Sequence, residues 1–327
     1  MPELGFHVVR IAVFVFVLFT AVAYLTLFER RVIGRIHARI GPNRVGPMGL
    51  LQPLADAIKL LTKEDVMPVT ADRALYLIAP AVSLFAAIAA FAVIPLGPTV
   101  PVAGVEVPLV VADLPVSLLY LVGVSSLGVY GLVLGGWSSG SKYSLLGGLR
   151  GAAQVVSYEL VVGLALVGVV MIAGSLSLRD IVEAQFNSVP FVLLQPLGFL
   201  LYTVGAFAEV NRAPFDLPEA ESELVAGYHT EYSGFRFAMF YMAEYMNMIT
   251  VSALAATLFL GGWWGPFLPG PHWLVLKMIA FLFGFVWVRA TIPRLRYDQL
   301  MRFSWSVLLP LGLINLAVTA VAVVALG

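Results

Sequence analysis

Eight stretches of roughly twenty mainly apolar residues, at about 8–29, 74–96, 116–136, 151–173, 189–210, 238–262, 274–292 and 306–326, constrain this chain more than anything else in it. A helix of about 20 apolar residues matches the hydrocarbon thickness of a bilayer. Inside lipid the backbone must also satisfy its own polar groups, which a helix does. The expected fold class is therefore all-α: a polytopic membrane helix bundle of about eight transmembrane helices, forming one integral membrane domain over 1–327. Charge agrees, because Asp, Glu, Lys and Arg make up 12 % of the residues, against about 25 % in soluble proteins. The first stretch contains Ala21-Val22-Ala23, which resembles a cleavage site. No basic region precedes it and Arg30-Arg31 follow, the pattern of a retained helix.

The cations give an orientation. Of the 19 Lys and Arg, all but Arg10, Arg179 and Lys277 fall in the odd-numbered connections. The positive-inside tendency then makes those loops, about 30–73, 137–150, 211–237 and 293–305, cytoplasmic, with both termini on the outer side. A multi-pass protein of the cell (inner) membrane is expected. Cysteine is absent, which excludes disulfides, thiolate metal sites and cysteine-held iron–sulfur clusters. His7, His37, His229 and His272 lie near segment ends or in loops, so no pair could clamp a haem. The zero formal charge argues against nucleic acid as a partner. The outer connections "GPTVPVAGVEVPLVVADLP" and "GGWWGPFLPGPHW" read as short caps with Trp near the headgroups. There is no internal repeat and no pair of discontinuous helices of the transporter kind.

The loop 30–73 opens with "RIGPNRVGP" and continues "MGLLQPLADAIKLLTKED". Leu50, Leu54, Ile58 and Leu61 recur at helical spacing, with Gln52, Asp56, Lys59 and Lys63 opposite. Too short to span and two-faced, this piece should lie at the membrane interface as an amphipathic anchor. The neighbouring Arg30, Arg31, Arg35 and Arg39, beside Glu29, are of a kind more often found as headgroup anchors than as ligand contacts, and their density allows a second role as the charged lining of a cavity opening from the lipid.

Carboxylates carry the chemistry. Glu159 and Glu244 stand inside apolar segments, where a charge costs several kcal/mol unless it is neutral, paired or hydrated. Glu209 closes its segment and fits an ordinary helix-end charge as well as a functional one. Between them lies "APFDLPEAESELVAGYHTEYSG", residues 213–234, which gathers Asp216, Glu219, Glu221, Glu223 and Glu231 from a total of 19 acidic residues. Pro214 and Pro218 forbid a continuous helix, and Pro218 suits the first turn of a new one, with Glu219 and Glu221 capping it. That describes a solvated, well-capped helix. The alternate spacing of Glu219, Glu221 and Glu223 also describes crowded carboxylates that raise one another's pKa and hold protons near neutral pH. Tyr228 and His229 could donate hydrogen bonds to a polar ligand.

Two long segments, "FERRVIGRIHARIGPNRVGPMGLLQPLADAIKLLTKED" and "EVNRAPFDLPEAESELVAGYHTEYSGFRFAMFYMAEY", resemble the signature regions of the H-subunit family of bacterial NADH:quinone oxidoreductase, homologous to subunit 1 of mitochondrial complex I. "GWSSGSKYSLLGGLRGAAQVVSYEL" and "RATIPRLRYDQLMRFSW" extend the resemblance over nearly the whole chain. The resemblance implies a membrane subunit of a proton-pumping complex. It would form a quinone chamber and couple quinone reduction to proton translocation through a carboxylate funnel. By position, Glu209, Glu219, Glu221, Glu223 and Glu244 match the funnel, with Glu159 deeper in the membrane. Glu29, Arg30, Arg39, Asp56 and Glu64 match chamber or mouth residues, Arg212 and Asp216 the charged frame of the loop, and Tyr228, His229 and Glu231 chamber positions near it. Ubiquinone or menaquinone would be the substrate, with no flavin, haem or iron–sulfur cluster and no metal in this chain. The implied partners are the peripheral iron–sulfur subunits of the quinone site, antiporter-like membrane subunits and the lipid bilayer. The chain departs from many relatives in reading "GYH" where they carry "GFN", and it stops just after the eighth apolar stretch. The residues leave rivals open: the equivalent subunit of a ferredoxin-, other carrier- or hydrogenase-linked complex, a stand-alone ion transporter, or a docking scaffold.

Overall fold

The computed structural model describes the backbone of residues 2–102, 105–219 and 221–326, and side chains over 8–100, 108–219 and 223–325. The chain is helical almost throughout. In order it forms α1 (Pro2–Ile36), α2 (Gln52–Thr62), α3 (Arg73–Phe91), the strands β1 (Val100–Val102) and β2 (Val105–Val107), α4 (Ser117–Ser138) and α5 (Lys142–Ala173). There follow α6 (Leu178–Phe186), α7 (Phe191–Leu194), α8 (Pro196–Glu209), α9 (Glu221–Leu224), α10 (Gly234–Phe259), α11 (Pro271–Thr291), α12 (Tyr297–Phe303) and α13 (Leu309–Leu326).

Among the described residues, 6 helices are long and apolar enough to cross a membrane: α1, α3, α4, α5, α11 and the run from α12 through α13. Helix α10 has the length, 26 residues, but carries Arg236, Glu244 and Asn247. It is nonetheless the axle of the bundle. From Tyr245 onward nearly every side chain is buried, and α10 packs against α1, α2, α3, α6, α7, α8 and α11. Glu244 therefore rides on the best-packed helix, where no lipid or bulk water can compensate it.

Local chemistry sets the ends. Asp72 accepts hydrogen bonds from Ala74 N (3.1 Å) and Leu75 N (3.2 Å) and starts α3, as a side-chain oxygen at an N-cap should. Gly174 at φ 69° closes α5, the left-handed cap that glycine adopts without a Cβ clash.

The structure departs from the sequence expectations at four places. Helix α5 begins at Lys142, so most of the loop expected at 137–150 is helix. Its opening residues are polar, which hides them from a hydropathy reading but not from helical hydrogen bonding. The stretch 189–210 is broken at Gln195, after which Pro196 opens α8. A proline lacks the N–H that would continue α7, and Gln195 Nε2 instead donates to Thr319 Oγ1 at 2.7 Å. One discontinuous helix is thus present, though unpaired. The connections expected on the outer side hold more than caps: an antiparallel hairpin pairs Val100 with Val107, and α6 follows α5. Finally, the helix of the acidic loop is a single turn that starts after Glu219, so Glu219 sits in the turn before it. Gly227 explains the tight fold-back. It has φ 62°, and a Cβ there would come within 1.6 Å of Pro218 O. Tyr228 N donates to that carbonyl at 3.3 Å. The interfacial piece forms α2 as its periodicity implied, with none of its residues buried.

Candidate functional site

The loop after α8 delivers Arg212 into the bundle, where four elements meet. Its guanidinium pairs with Glu29 of α1 at 3.4 Å and with Glu244 of α10. Glu29 also pairs with Arg289 near the end of α11. Side-chain exposure is 6 % for Arg212, 5 % for Glu29 and 11 % for Glu244. Burying such charges costs several kcal/mol each unless they are paired, and here two cations face two carboxylates. The guanidinium also lies over the ring of Tyr245 at 4.4 Å and near Tyr241 at 5.6 Å, an arrangement that favours a cation. Burial works against the charge on Arg212, but Glu244, Tyr245 and Glu29 more than offset it and its pKa lies above the usual value.

Arg212 stands between two cavities. One, of about 50 Å³, is lined by Glu159, Glu209, Glu219, Tyr228, Glu244 and Asn247, together with Ser83 and Ser125. A smaller one of about 20 Å³ is also lined by Ser125, Glu159, Glu209 and Asn247. A water needs roughly 10–15 Å³ of such space and two or more polar partners, so both suit hydrated carboxylates. Ser126 Oγ of α4 donates to Glu159 Oε1. The other cavity, of about 400 Å³, is open-sided and lined by Glu29, Arg30, Arg39, Tyr241, Tyr245 and Arg289, with Ile33, Ile40 and Pro42. The hydroxyls of Tyr241 and Tyr245 lie 3.0 Å apart. Glu29 lines this space and Glu244 the other, and Arg212 pairs with both.

The acidic loop has its own electrostatics. Glu219 Oε1 is 3.2 Å from His229 Nε2. Burial pushes the Glu219 carboxyl up, but the hydrogen bond and charge of His229, with Arg212 and Arg289, outweigh it and hold the pKa below the usual range. Burial and the charge of Glu219 push Asp216 up to about 6, against the pull of Arg294, Arg289 and Arg212. Tyr228 is buried, beside Glu219, Glu244 and Asp216, and is pushed well above the usual phenol range.

The structure thus gathers four expected carboxylates, Glu159, Glu209, Glu219 and Glu244, on one cavity, and Glu29, Arg30 and Arg39 on the other. Glu223 is not in either: it is held at the loop surface by Arg150 at 2.5 Å and Arg294 at 3.5 Å. The Glu221 side chain lies outside the described residues. Asp56 pairs with Arg30 at 2.6 Å beside the open cavity, Glu64 is exposed, and Glu231 offers its backbone carbonyl to Tyr76 Oη at 2.7 Å. Tyr228 lines the carboxylate cavity and His229 serves Glu219, so neither is among the residues lining the open one. Sequence reasoning missed Arg289, Tyr241, Tyr245, Asn247 and Ser125. Asn247 carried a signal, a polar residue one helical turn from Glu244. The tyrosines carried none, and Arg289 none beyond its place in the last turn of α11. Among the described residues no group of three or more His, Cys, Asp or Glu could hold a metal.

Comparison with known proteins matches residues 9–320 to the family model described as NADH dehydrogenase. The chain is 58 % identical over 312 residues to the NADH-quinone oxidoreductase H subunit of Thermomicrobium roseum, covering 93 % of this chain and 92 % of that one. It is 56 % identical over 317 residues to the first of the NADH-quinone oxidoreductase H subunits of Geobacter metallireducens, covering 97 % and 96 %. Over 313 residues it is 55 % identical to the corresponding H subunit of Syntrophotalea carbinolica, covering 96 % and 94 %.

Proposed function

The chain belongs to the NADH dehydrogenase family as an H subunit of NADH-quinone oxidoreductase, and from that premise we propose that it forms the quinone chamber of complex I and couples quinone reduction to proton translocation. A multi-pass membrane subunit of that enzyme works with the other complex I subunits. In this reading the broken α7–α8 segment and α10 complete eight crossings of a single membrane domain in the cell (inner) membrane. Both termini lie outside and the charged loops in the cytoplasm. Peripheral iron–sulfur subunits dock on those loops and deliver electrons, antiporter-like subunits continue the proton path, and this chain carries no redox centre.

The open cavity suits a quinone. Ile33, Ile40 and Pro42 offer apolar wall to an isoprenoid tail, while Arg30, Arg39, Tyr241 and Tyr245 offer donors to the two carbonyl oxygens of the head. Ubiquinone or menaquinone meets that description. Reduction takes two electrons from the partner and two protons, converting both carbonyls to hydroxyls. The observation that carries the coupling is Arg212, paired at once with a carboxylate of each cavity. Charge developing in the chamber draws Arg212 toward Glu29 and weakens its hold on Glu244. An uncompensated carboxylate in a low-dielectric site takes up a proton, and Glu209 and Glu159 lie along the same space to pass it on. Glu219, on the same cavity, links this space to the loop.

The test uses the assembled complex in sealed vesicles. Glu159→Gln and Glu244→Gln should each lower protons pumped per electron to below half, with quinone reductase activity reduced and assembly retained. Unchanged pumping by both variants in fully assembled complex would defeat the proton-path reading.

A further inference from the structure

Helix α10 carries Glu244 and Asn247 one turn apart, a spacing that puts their Cβ atoms about 5–6 Å from each other on one face. Of the two carboxylate cavities, Glu244 lines only the larger, whereas Asn247 lines both, with Ser125, Glu159 and Glu209. Asn247 therefore stands where the two spaces meet, between walls supplied by α4, α5, α8 and α10 of this chain. The other polar side chains at that junction are engaged. Ser126 Oγ donates to Glu159 Oε1, Ser125 Oγ to Val122 O at 3.0 Å, and Thr250 Oγ1 to Met246 O at 2.9 Å. Ser83 Oγ lacks a protein partner, but it lines only the larger cavity. The Asn247 amide makes no protein hydrogen bond among the described residues and is left to whatever fills the two spaces. Beyond it the smaller cavity is walled by Leu121, Val162, Leu166, Val251 and Leu254, so a proton at the junction finds its acceptors in Glu159 and Glu209. We propose that Asn247 is the positioning residue for proton transfer from Glu244 to the Glu159–Glu209 pair, holding the water that carries the proton between them. This deepens, and rests on, the proton-path reading above.

The dimensions allow it. At roughly 10–15 Å³ per water, the cavity of about 50 Å³ takes about three to five waters and that of about 20 Å³ a single one. In the transfer, the Glu244 carboxyl gives its proton to an adjacent water. That water gives another of its protons to the carboxylate of Glu209 or Glu159. One proton leaves Glu244, one arrives on the pair, and the water is restored. Asn247 Oδ1 accepts one hydrogen of this water, which leaves the other for the receiving carboxylate, and Nδ2 donates to the water's neighbour or to the carboxylate itself. An amide does this without titrating, so it orients the carrier and never stores the proton. A carboxylate or an amine at this position would trap charge, and an alkyl group would leave the water without a fixed orientation.

The experiment measures turnover, protons pumped per electron and the solvent deuterium isotope effect of the assembled complex in sealed vesicles. It compares wild type with Asn247→Leu and, in parallel, Asn247→Val, so that assembly does not rest on one variant. Each should slow coupled turnover roughly ten-fold and enlarge the isotope effect. The KM for quinone should stay unchanged, because Asn247 does not line the open cavity. Asn247→Ser, whose hydroxyl also donates and accepts, should recover most of the rate and bring the isotope effect back toward wild type. A merely structural asparagine would change neither the isotope effect nor its recovery. Wild-type turnover and pumping in the assembled apolar variants, slowing without a change in isotope effect, or Asn247→Ser as slow as Asn247→Leu would overturn the assignment. Glu159→Gln and Glu244→Gln separate the two readings. If they block pumping while Asn247→Leu behaves as wild type, the role of Asn247 alone fails; if both pump normally, the whole path fails.

Discussion

Replacing Arg212 by Met tests whether the buried charge cluster holds the bundle as the geometry implies. At 3.4 Å from Glu29, two unit charges at an effective dielectric of about 20 interact by roughly 5 kcal/mol. Most of that offsets desolvation, so the intact cluster adds little net stability. Removing one partner is another matter: it leaves Glu244 buried without a cation, at a cost of about 3–5 kcal/mol. Glu29 is spared the same fate because Arg289 remains. Expressed as thermal inactivation of the complex in membranes, about 3 kcal/mol is a rate increase of more than a hundred-fold. The double variant Arg212→Met with Glu244→Gln removes the orphaned charge and should regain about 2 kcal/mol. The two substitutions should therefore be clearly non-additive. Arg212→Lys should fall between, since a point charge cannot reach both carboxylates as the planar guanidinium does. Inactivation of Arg212→Met within three-fold of wild type, or strict additivity in the double variant, would refute the cluster as described.

Asp216→Asn probes the opposite sign. The folded pKa of about 6 lies above the ordinary 3.8, so the fold disfavours the ionised form; the resulting penalty grows as pH rises from about 4 to about 6 and is constant above. The variant should slow thermal inactivation at pH 7.5 and change nothing near pH 4, which an inactivation series across that range would show. Arg39→Trp narrows the open cavity and should reduce turnover of long-tailed quinone several-fold while sparing a short-tailed analogue, as paired steady-state assays would reveal.

Much of this architecture was legible in the sequence because lipid imposes a simple rule, and apolar length located the helices at the bilayer scale. What was lost is instructive. Averaged hydropathy passes smoothly over "FVLLQPLGFL" and conceals the break at Gln195. It also reads Lys142, Ser144 and Arg150 as loop, although nothing in them prevents a helix from starting. The carboxylates announced themselves by being out of place among apolar neighbours, whereas their partners did not. Arg212 and Arg289 look like ordinary loop and helix-end cations until α1, α10 and α11 bring Glu29 and Glu244 to them. His229 and Glu219 are ten positions apart, and only the fold-back at Gly227 makes them neighbours.

The break between α7 and α8 bears on how the chain is made. The 14 residues of α8 extend roughly 21 Å at 1.5 Å per residue, short of the hydrocarbon width of about 30 Å. Gln195, above it, finds Thr319 only 124 residues later in the chain. At synthesis rates of about 5–20 residues per second, that partner emerges roughly 6–25 seconds after Gln195. In the interval the Gln195 amide lacks the partner that it has in the finished fold. The packing of the α7–α8 break is thus completed only by α13.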